Sequence, residues 1–132
     1  MMKTKPNLFF AECTDYYKSK SDPDRSYRSN VQSIGSNGIP YPLFHIYYNS
    51  GNKMYGVIYP GGDGKPKWFT SPYTAFDFAE NIYLDLESEN ITVAETSEIK
   101  WLERTGSGHL DWEWRTETTY YSRCPWAKYL HR

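Results

Sequence analysis

The most regular apolar spacing in the chain lies between residues 71 and 87. Wound as a helix at about 100° per residue, this stretch collects its apolar side chains on one face. That face comprises Ala75, Phe76, Phe78, Ala79, Ile82, Tyr83 and Leu86. Ser71 is a good N-cap residue, and Pro72 suits the first helical turn because its missing N–H would be unpaired there. The spacing therefore predicts one amphipathic helix over residues 72–87, packed on a sheet.

The opposite side of this predicted helix is acidic but not uniformly polar. Its polar members are Asp77, Glu80, Asn81, Asp85 and Glu87. Tyr73 and Leu84 fall among them, where a solvated helix face would carry polar residues. This mixture of apolar and acidic side chains is the first candidate for a functional surface.

Shorter runs with β-type spacing surround the helix. Residues 43–48 and 54–59 are aromatic and β-branched and flank a short Asn/Gly-rich loop, which predicts a β-hairpin. Residues 67–69 give a third strand that leads into the helix. Residues 112–121 alternate with a period of two, which is typical of a strand with one solvated face. Glycines at 106–108 predict the turn before it.

The remaining segments are less regular. Residues 8–13 and 91–94 are predicted as short strands. Residues 96–105 fit either a strand or a helix, and alternation favours the strand. Tyr27, Val31 and Ile34 recur at helical spacing, so a short, irregular helix is predicted within residues 22–35. Gly38 and two prolines predict a loop over residues 36–42.

These elements predict a single α+β domain over residues 1–132. Its antiparallel sheet has about five or six strands, with the helix at 72–87 packed on one face. We divide the chain into a loop-rich N-terminal segment (1–42), a sheet-and-helix core (43–121) and a tail (122–132). Aromatic residues make up 18% of the chain, and each buried ring removes a large apolar area from water.

Composition narrows the functional classes. The net charge of −1 argues against a generally basic nucleic-acid binder, and no lysine or arginine occurs between Lys67 and Lys100. The N-terminal apolar run is too short for a secretory signal, and no run approaches a membrane span. We therefore expect a cytoplasmic protein with free thiols at Cys13 and Cys124, although one bridge between them remains open.

The leading interpretation is a small non-enzymatic module that binds a larger protein, one with a basic surface, and modulates or inhibits it. Immunity proteins and phage or plasmid inhibitors of host defence are examples of such a role. Apolar side chains rimmed by charge are typical of an interface anchor. The predicted partner-binding residues are Tyr73, Asp77, Glu80, Leu84, Asp85 and Glu87.

An alternative is single-stranded nucleic-acid binding through the first hairpin, because bases stack on sheet aromatics beside basic groups. The residues of this alternative are Tyr47, Lys53, Tyr55, Tyr59, Lys65, Lys67 and Trp68. The competing interpretation, which we favour, is that these rings form the core beneath the helix.

A weaker alternative is a small hydrolase or transferase that pairs His45 or His109 with a carboxylate such as Asp111. No cofactor or metal site is expected, because the histidines and cysteines lack the close pairing of metal ligands. The glycine-rich residues 61–65 precede a proline and a strand. A phosphate-binding loop would instead open a helix, so a simple turn is predicted here.

Overall fold

The computed structural model describes residues 6–12, 26–36, 38, 40–87, 91–93 and 99–117. Within these ranges one helix and ten strands form an α+β fold. In chain order the elements are β1 (Phe9–Glu12), β2 (Ser26–Ser29), β3 (Val31–Ile34), β4 (Pro40–Pro42), β5 (His45–Asn49), β6 (Met54–Ile58), β7 (Lys67–Phe69), α1 (Pro72–Asp85), β8 (Ile91–Val93), β9 (Ile99–Arg104) and β10 (Trp112–Glu117).

The strands form two sheets. The larger is antiparallel and has seven strands in the order β10-β9-β1-β2-β5-β6-β7, and the smaller has the order β4-β3-β8. The predicted hairpin is β5–β6, in which Ile46 lies opposite Val57. The predicted α+β class, the third strand before the helix and the strand assignment within 96–105 are confirmed. The main sheet has seven strands instead of the expected five or six, and its central strand is β2, from the segment predicted as helix.

The predicted helix within residues 22–35 is wrong, since the described residues of this segment form β2 (Ser26–Ser29) and β3 (Val31–Ile34). Serine side chains disfavour a helix here, and Ser29 instead forms hydrogen bonds with backbone groups near the strands. The Ser29 hydroxyl donates to the Val31 carbonyl at 2.6 Å and accepts the Phe44 N–H at 3.0 Å. Between the two strands, the Asn30 side chain accepts the Phe9 N–H at 2.6 Å. Pairing with distant strands therefore overrides the helical spacing.

The predicted loop over residues 36–42 is also only partly correct, because Pro40–Pro42 pairs with β3 as strand β4. Strand β4 lies at the edge of the small sheet, where prolines are tolerated because one side needs no ladder hydrogen bonds. Residues 1–42 thus supply four strands within the described part of the chain. Two of these four strands lie centrally in the main sheet.

Helix α1 begins as predicted, with the Ser71 hydroxyl accepting the Tyr73 N–H at 3.1 Å. It ends at Asp85, two residues before the predicted limit, and Leu86 takes an extended conformation as the C-cap. The buried face is the predicted one, led by Ala75, Phe76, Ala79 and Tyr83.

The core lies between α1 and the main sheet. Phe76 is its centre, with its ring 5.0 Å from Phe10, 5.1 Å from Tyr27 and 5.3 Å from Trp112 between centroids. The Tyr83 hydroxyl donates to the Pro6 carbonyl, and burial raises the pKa of Tyr83 to about 12. The N-terminal strand and the helix are thereby joined.

Cys13, Cys124 and the tail at 122–132 lie outside the described residues. Within the described ranges, α1 is the one helix, and its 14 residues are too few to cross a membrane.

Candidate functional site

The outer side of α1 and the turn between β9 and β10 border a cleft of about 470 Å³. The helix supplies one wall, and the end of β9 with the following turn supplies the other. The lining residues are Asp77, Glu80, Asn81, Leu84, Arg104, Gly106 and Ser107. Three of the six predicted partner-binding residues therefore meet at this cleft.

Arg104 is the residue that joins the two walls. Its Nε donates to Glu80 Oε1 at 2.9 Å, and its Nη2 donates to Asp77. Its Nη1 donates to the carbonyl of Gly108 in the turn at 2.6 Å. Burial lowers the pKa of Arg104, but Glu80 and Asp77 outweigh burial and raise that pKa above its usual value. Arg104 is therefore held as a cation between the helix and the turn.

On the helix, Asp77 contacts two further side chains besides Arg104. Its Oδ1 also accepts the indole N–H of Trp112 at 2.9 Å, and its Oδ2 lies 2.9 Å from His109 Nδ1. The Arg104 guanidinium carbon lies 4.8 Å from the centre of the Trp112 ring, a favourable cation–π distance. One carboxylate thus contacts residues from β9, the turn and β10.

The turn itself is shaped by Asp111. Its Oδ2 accepts the Gly108 N–H at 2.6 Å, and its carbonyl accepts the Thr105 N–H at 2.8 Å. A Cβ atom added at Gly106 or Gly108 would lie 2.5 or 2.8 Å from Asp111 Oδ2. Both positions therefore need glycine for the carboxylate to close the turn in this way. The sequence predicts the turn itself from these glycines.

Leu84 and the three predicted partner-binding residues that do not line this cleft differ in their exposure. Leu84 is 63% exposed, and Asp85 and Glu87 are exposed near the C-terminal end of the helix. Tyr73 is half-buried, with its ring 6.2 Å from Phe76 and 6.1 Å from His109. Tyr73 is thus part of the packing beneath the surface, whereas Leu84 is an open apolar side chain.

Sequence reasoning missed Arg104 and Trp112 as members of this site. Asp77 and Glu80 are three apart on a helix, which places both carboxylates on one side. That spacing signals a shared cation. The cation itself lies 24 residues from Glu80 and 27 from Asp77, so no local pattern identifies it.

The candidate nucleic-acid residues are split between the two faces of the main sheet. Tyr47 and Trp68 lie on the face opposite α1, with ring centroids 5.8 Å apart. Tyr55 is 8% exposed in the core, and Tyr59 packs edge-on against Phe78 of the helix at 5.0 Å. The structure therefore brings Tyr47 and Trp68 together, and it separates them from the other two tyrosines.

The three lysines of the same set are also dispersed. Lys53 and Lys65 are exposed in two different turns, the first before β6 and the second after it. Lys67 lies opposite Val57, which is a core residue on the helix side of the sheet. These lysines do not line one groove with Tyr47 and Trp68.

The two histidines considered for acid–base chemistry have contrasting surroundings. His45 lies opposite buried Arg28, and its Nε2 is 3.1 Å from the Ser26 hydroxyl. Burial, with a further contribution from the Arg28 charge, lowers the pKa of His45 to about 3. His45 is therefore neutral at physiological pH and serves as a hydrogen-bonding group.

His109 has the carboxylate that acid–base chemistry requires, because Asp77 fixes its Nδ1. Its side chain is 44% exposed on the open turn. Among the described residues, no serine, threonine or cysteine hydroxyl or thiol is hydrogen-bonded to its ring. This pair can orient an imidazole, but the described residues supply no adjacent nucleophile.

No group of three histidine, cysteine, aspartate or glutamate side chains in the described ranges is arranged to hold a metal ion. Comparisons with protein-family models, curated proteins and solved structures find no match to this chain.

Proposed function

We propose that this chain is a small protein-binding domain that docks a larger partner through the outer side of α1 beside the β9–β10 turn. The observation that carries the proposal is the exposure of Leu84, 63%, at the border of a cleft lined by carboxylates. A large apolar side chain among charges gains free energy when a partner covers it, and such residues are typical interface anchors.

The neighbouring turn adds to the apolar area available for docking. Leu110 is 67% exposed within the turn that Asp111 and Arg104 hold in place. Because that turn is fixed, a partner loses little free energy in ordering it. Leu84 and Leu110 are the anchors that we assign to the docking surface.

Charge indicates the kind of partner. The outer side of the helix carries Asp77, Glu80 and Asp85, and Glu87 follows the helix end. Among the described residues that line the cleft, Arg104 is the one cation. An acidic surface with an apolar centre is complementary to a basic surface with an apolar centre. Such complementarity accelerates association and excludes acidic partners. A domain of this kind acts by covering a functional surface of its partner, as immunity proteins and anti-defence inhibitors do.

The test is affinity capture from the source cell with three tagged proteins, each assayed with and without nuclease. These are the wild-type chain, the variant Leu84→Asp and the control Tyr41→Asp, which places the same charge on β4 at a residue that is 50% exposed. Circular dichroism checks that all three are folded.

We expect one basic protein to be retained by wild type and by Tyr41→Asp and lost with Leu84→Asp. Equal retention by folded Leu84→Asp contradicts the docking surface. Recovery that disappears with nuclease contradicts protein binding and favours nucleic acid at Tyr47 and Trp68. If Leu84→Asp unfolds, Leu84→Ala and Leu84→Ser supply the comparison with smaller changes.

A further inference from the structure

We infer that the four acidic residues on the outer side of α1 and just after its C-terminal end have two different tasks. Asp77 and Glu80 are positioning residues that hold the β9–β10 turn against the helix. Asp85 and Glu87 are the residues that contact basic groups of the partner, next to Leu84. The second half of this inference rests on the proposed function, whereas the first half is independent of it.

The positioning task follows from how completely Asp77 is occupied. Its two oxygens contact Arg104, Trp112 and His109. The side chain is 25% exposed, and that of Glu80 is 24% exposed. A partly buried carboxylate surrounded by donors within its own chain has little capacity left for a partner's cation.

Glu80 is engaged through one of its oxygens. Its Oε1 lies 2.9 Å from Arg104 Nε and 2.8 Å from Arg104 Nη2. The guanidinium thus bridges two helix residues one turn apart and also bonds the Gly108 carbonyl. Removing these carboxylates would release the turn and leave Arg104, whose side chain is 19% exposed, without its counter-charges.

The recognition task follows from the end of the helix. Asp85 is the last residue of α1, and Glu87 follows the C-cap Leu86. The C-terminal end of a helix carries partial negative charge and favours cations, yet the last turn of α1 contains no basic residue. Asp85 and Glu87 are exposed there, so they oppose the stability of the helix end.

A local arrangement that opposes stability is typical of a functional position. The cation that this helix end lacks can be provided by the partner. The complementary group is a lysine or arginine placed beside an apolar side chain that contacts Leu84, which is 63% exposed and immediately precedes Asp85. A basic protein surface, rather than a free anion or a nucleic-acid backbone, fits this chemistry.

The experiment compares two double variants with the same change in net charge. Asp77→Asn/Glu80→Gln removes the positioning pair, and Asp85→Asn/Glu87→Gln removes the recognition pair. Urea unfolding of the isolated chain measures stability without any partner. We expect the unfolding midpoint to fall for the positioning pair and to stay the same or rise for the recognition pair.

The same variants then enter the capture experiment, with the protein retained by wild type as the probe. We expect Asp85→Asn/Glu87→Gln to slow association about tenfold or more at low salt, with the difference shrinking as salt increases. The control Asp63→Asn changes the charge on the distant β6–β7 turn and should leave the rate unchanged.

Two results would overturn the inference. An equal fall in the urea midpoint for both pairs would show that the four carboxylates share one structural task. A normal association rate for the folded Asp85→Asn/Glu87→Gln variant would remove these residues from recognition. Failure of the wild-type chain to retain any protein contradicts the proposed function instead, and the urea comparison still decides the positioning task.

Discussion

The role of Arg104 gives the sharpest prediction, tested by the substitution Arg104→Met. Methionine keeps a long apolar stem that can still pack beside Trp112. It removes the charge and every hydrogen bond to Glu80, Asp77 and the Gly108 carbonyl. The helix and the turn would lose three of the hydrogen bonds that join them, and two partly buried carboxylates would lose the guanidinium as their counter-charge.

The magnitude follows from the burial of the three side chains. Exposed ion pairs contribute about 0.2–1 kcal/mol, whereas breaking a buried pair costs about 3–5 kcal/mol. Arg104, Asp77 and Glu80 are 19%, 25% and 24% exposed, which places this cluster between the two cases. The cation–π contact with Trp112 adds about 0.5–1 kcal/mol. We therefore expect Arg104→Met to lower the free energy of unfolding by about 2–3 kcal/mol.

The assay is urea unfolding followed by circular dichroism and tryptophan fluorescence, with linear extrapolation to water. Lys65→Met is the matched control, since it removes one positive charge from an exposed turn. Arg104→Lys should recover only part of the loss, because an ammonium cannot bridge two carboxylates and a carbonyl as a guanidinium does. A loss below about 0.5 kcal/mol for Arg104→Met, or one equal to that of Lys65→Met, would refute the assigned role.

Three further predictions concern the scaffold. The pKa of His45 in the fold, about 3, lies below the usual 6.5, so the unfolded chain binds a proton first as the pH falls. The free energy of unfolding should therefore fall below pH 6.5, and His45 alone should account for a loss of roughly 2 kcal/mol at pH 5. In urea unfolding at several pH values, His45→Gln should make this fall smaller. Gly56→Ala should lower the free energy of unfolding by about 1–3 kcal/mol, because the alanine Cβ would lie 2.9 Å from the Trp68 ring. An unchanged melting temperature would contradict this packing. Ser71→Ala should lower the free energy of unfolding by about 1 kcal/mol in the same assay, because the N-cap hydrogen bond is lost. An equal decrease for Ser107→Ala, at an exposed serine, would contradict the capping role.

Local sequence features were sufficient for the helix and for several strands. The cap at Ser71, the proline after it and the apolar spacing through Tyr83 act within one or two helical turns, so they can be recognised without knowing the fold. The hairpin of β5 and β6 is similarly local because a short loop joins its strands. The same helical spacing placed Leu84 among carboxylates on the outer side, and this is the part of the candidate site that could be predicted.

Long-range contacts determined the rest. Residues 26–34 carry helix-like apolar spacing, yet they form strands because β1 and β5 pair with β2, and β4 and β8 pair with β3. Likewise, the helical spacing predicts that Asp77 and Glu80 lie on one side of α1, but only the fold identifies Arg104 as the cation beside them. The Arg104 contacts join residues 24 and 27 positions apart, and their free energy depends on burial and geometry that no short stretch of sequence encodes. The acidic helix surface was thus predictable from local periodicity, whereas its division into paired and exposed carboxylates required the packed sheet.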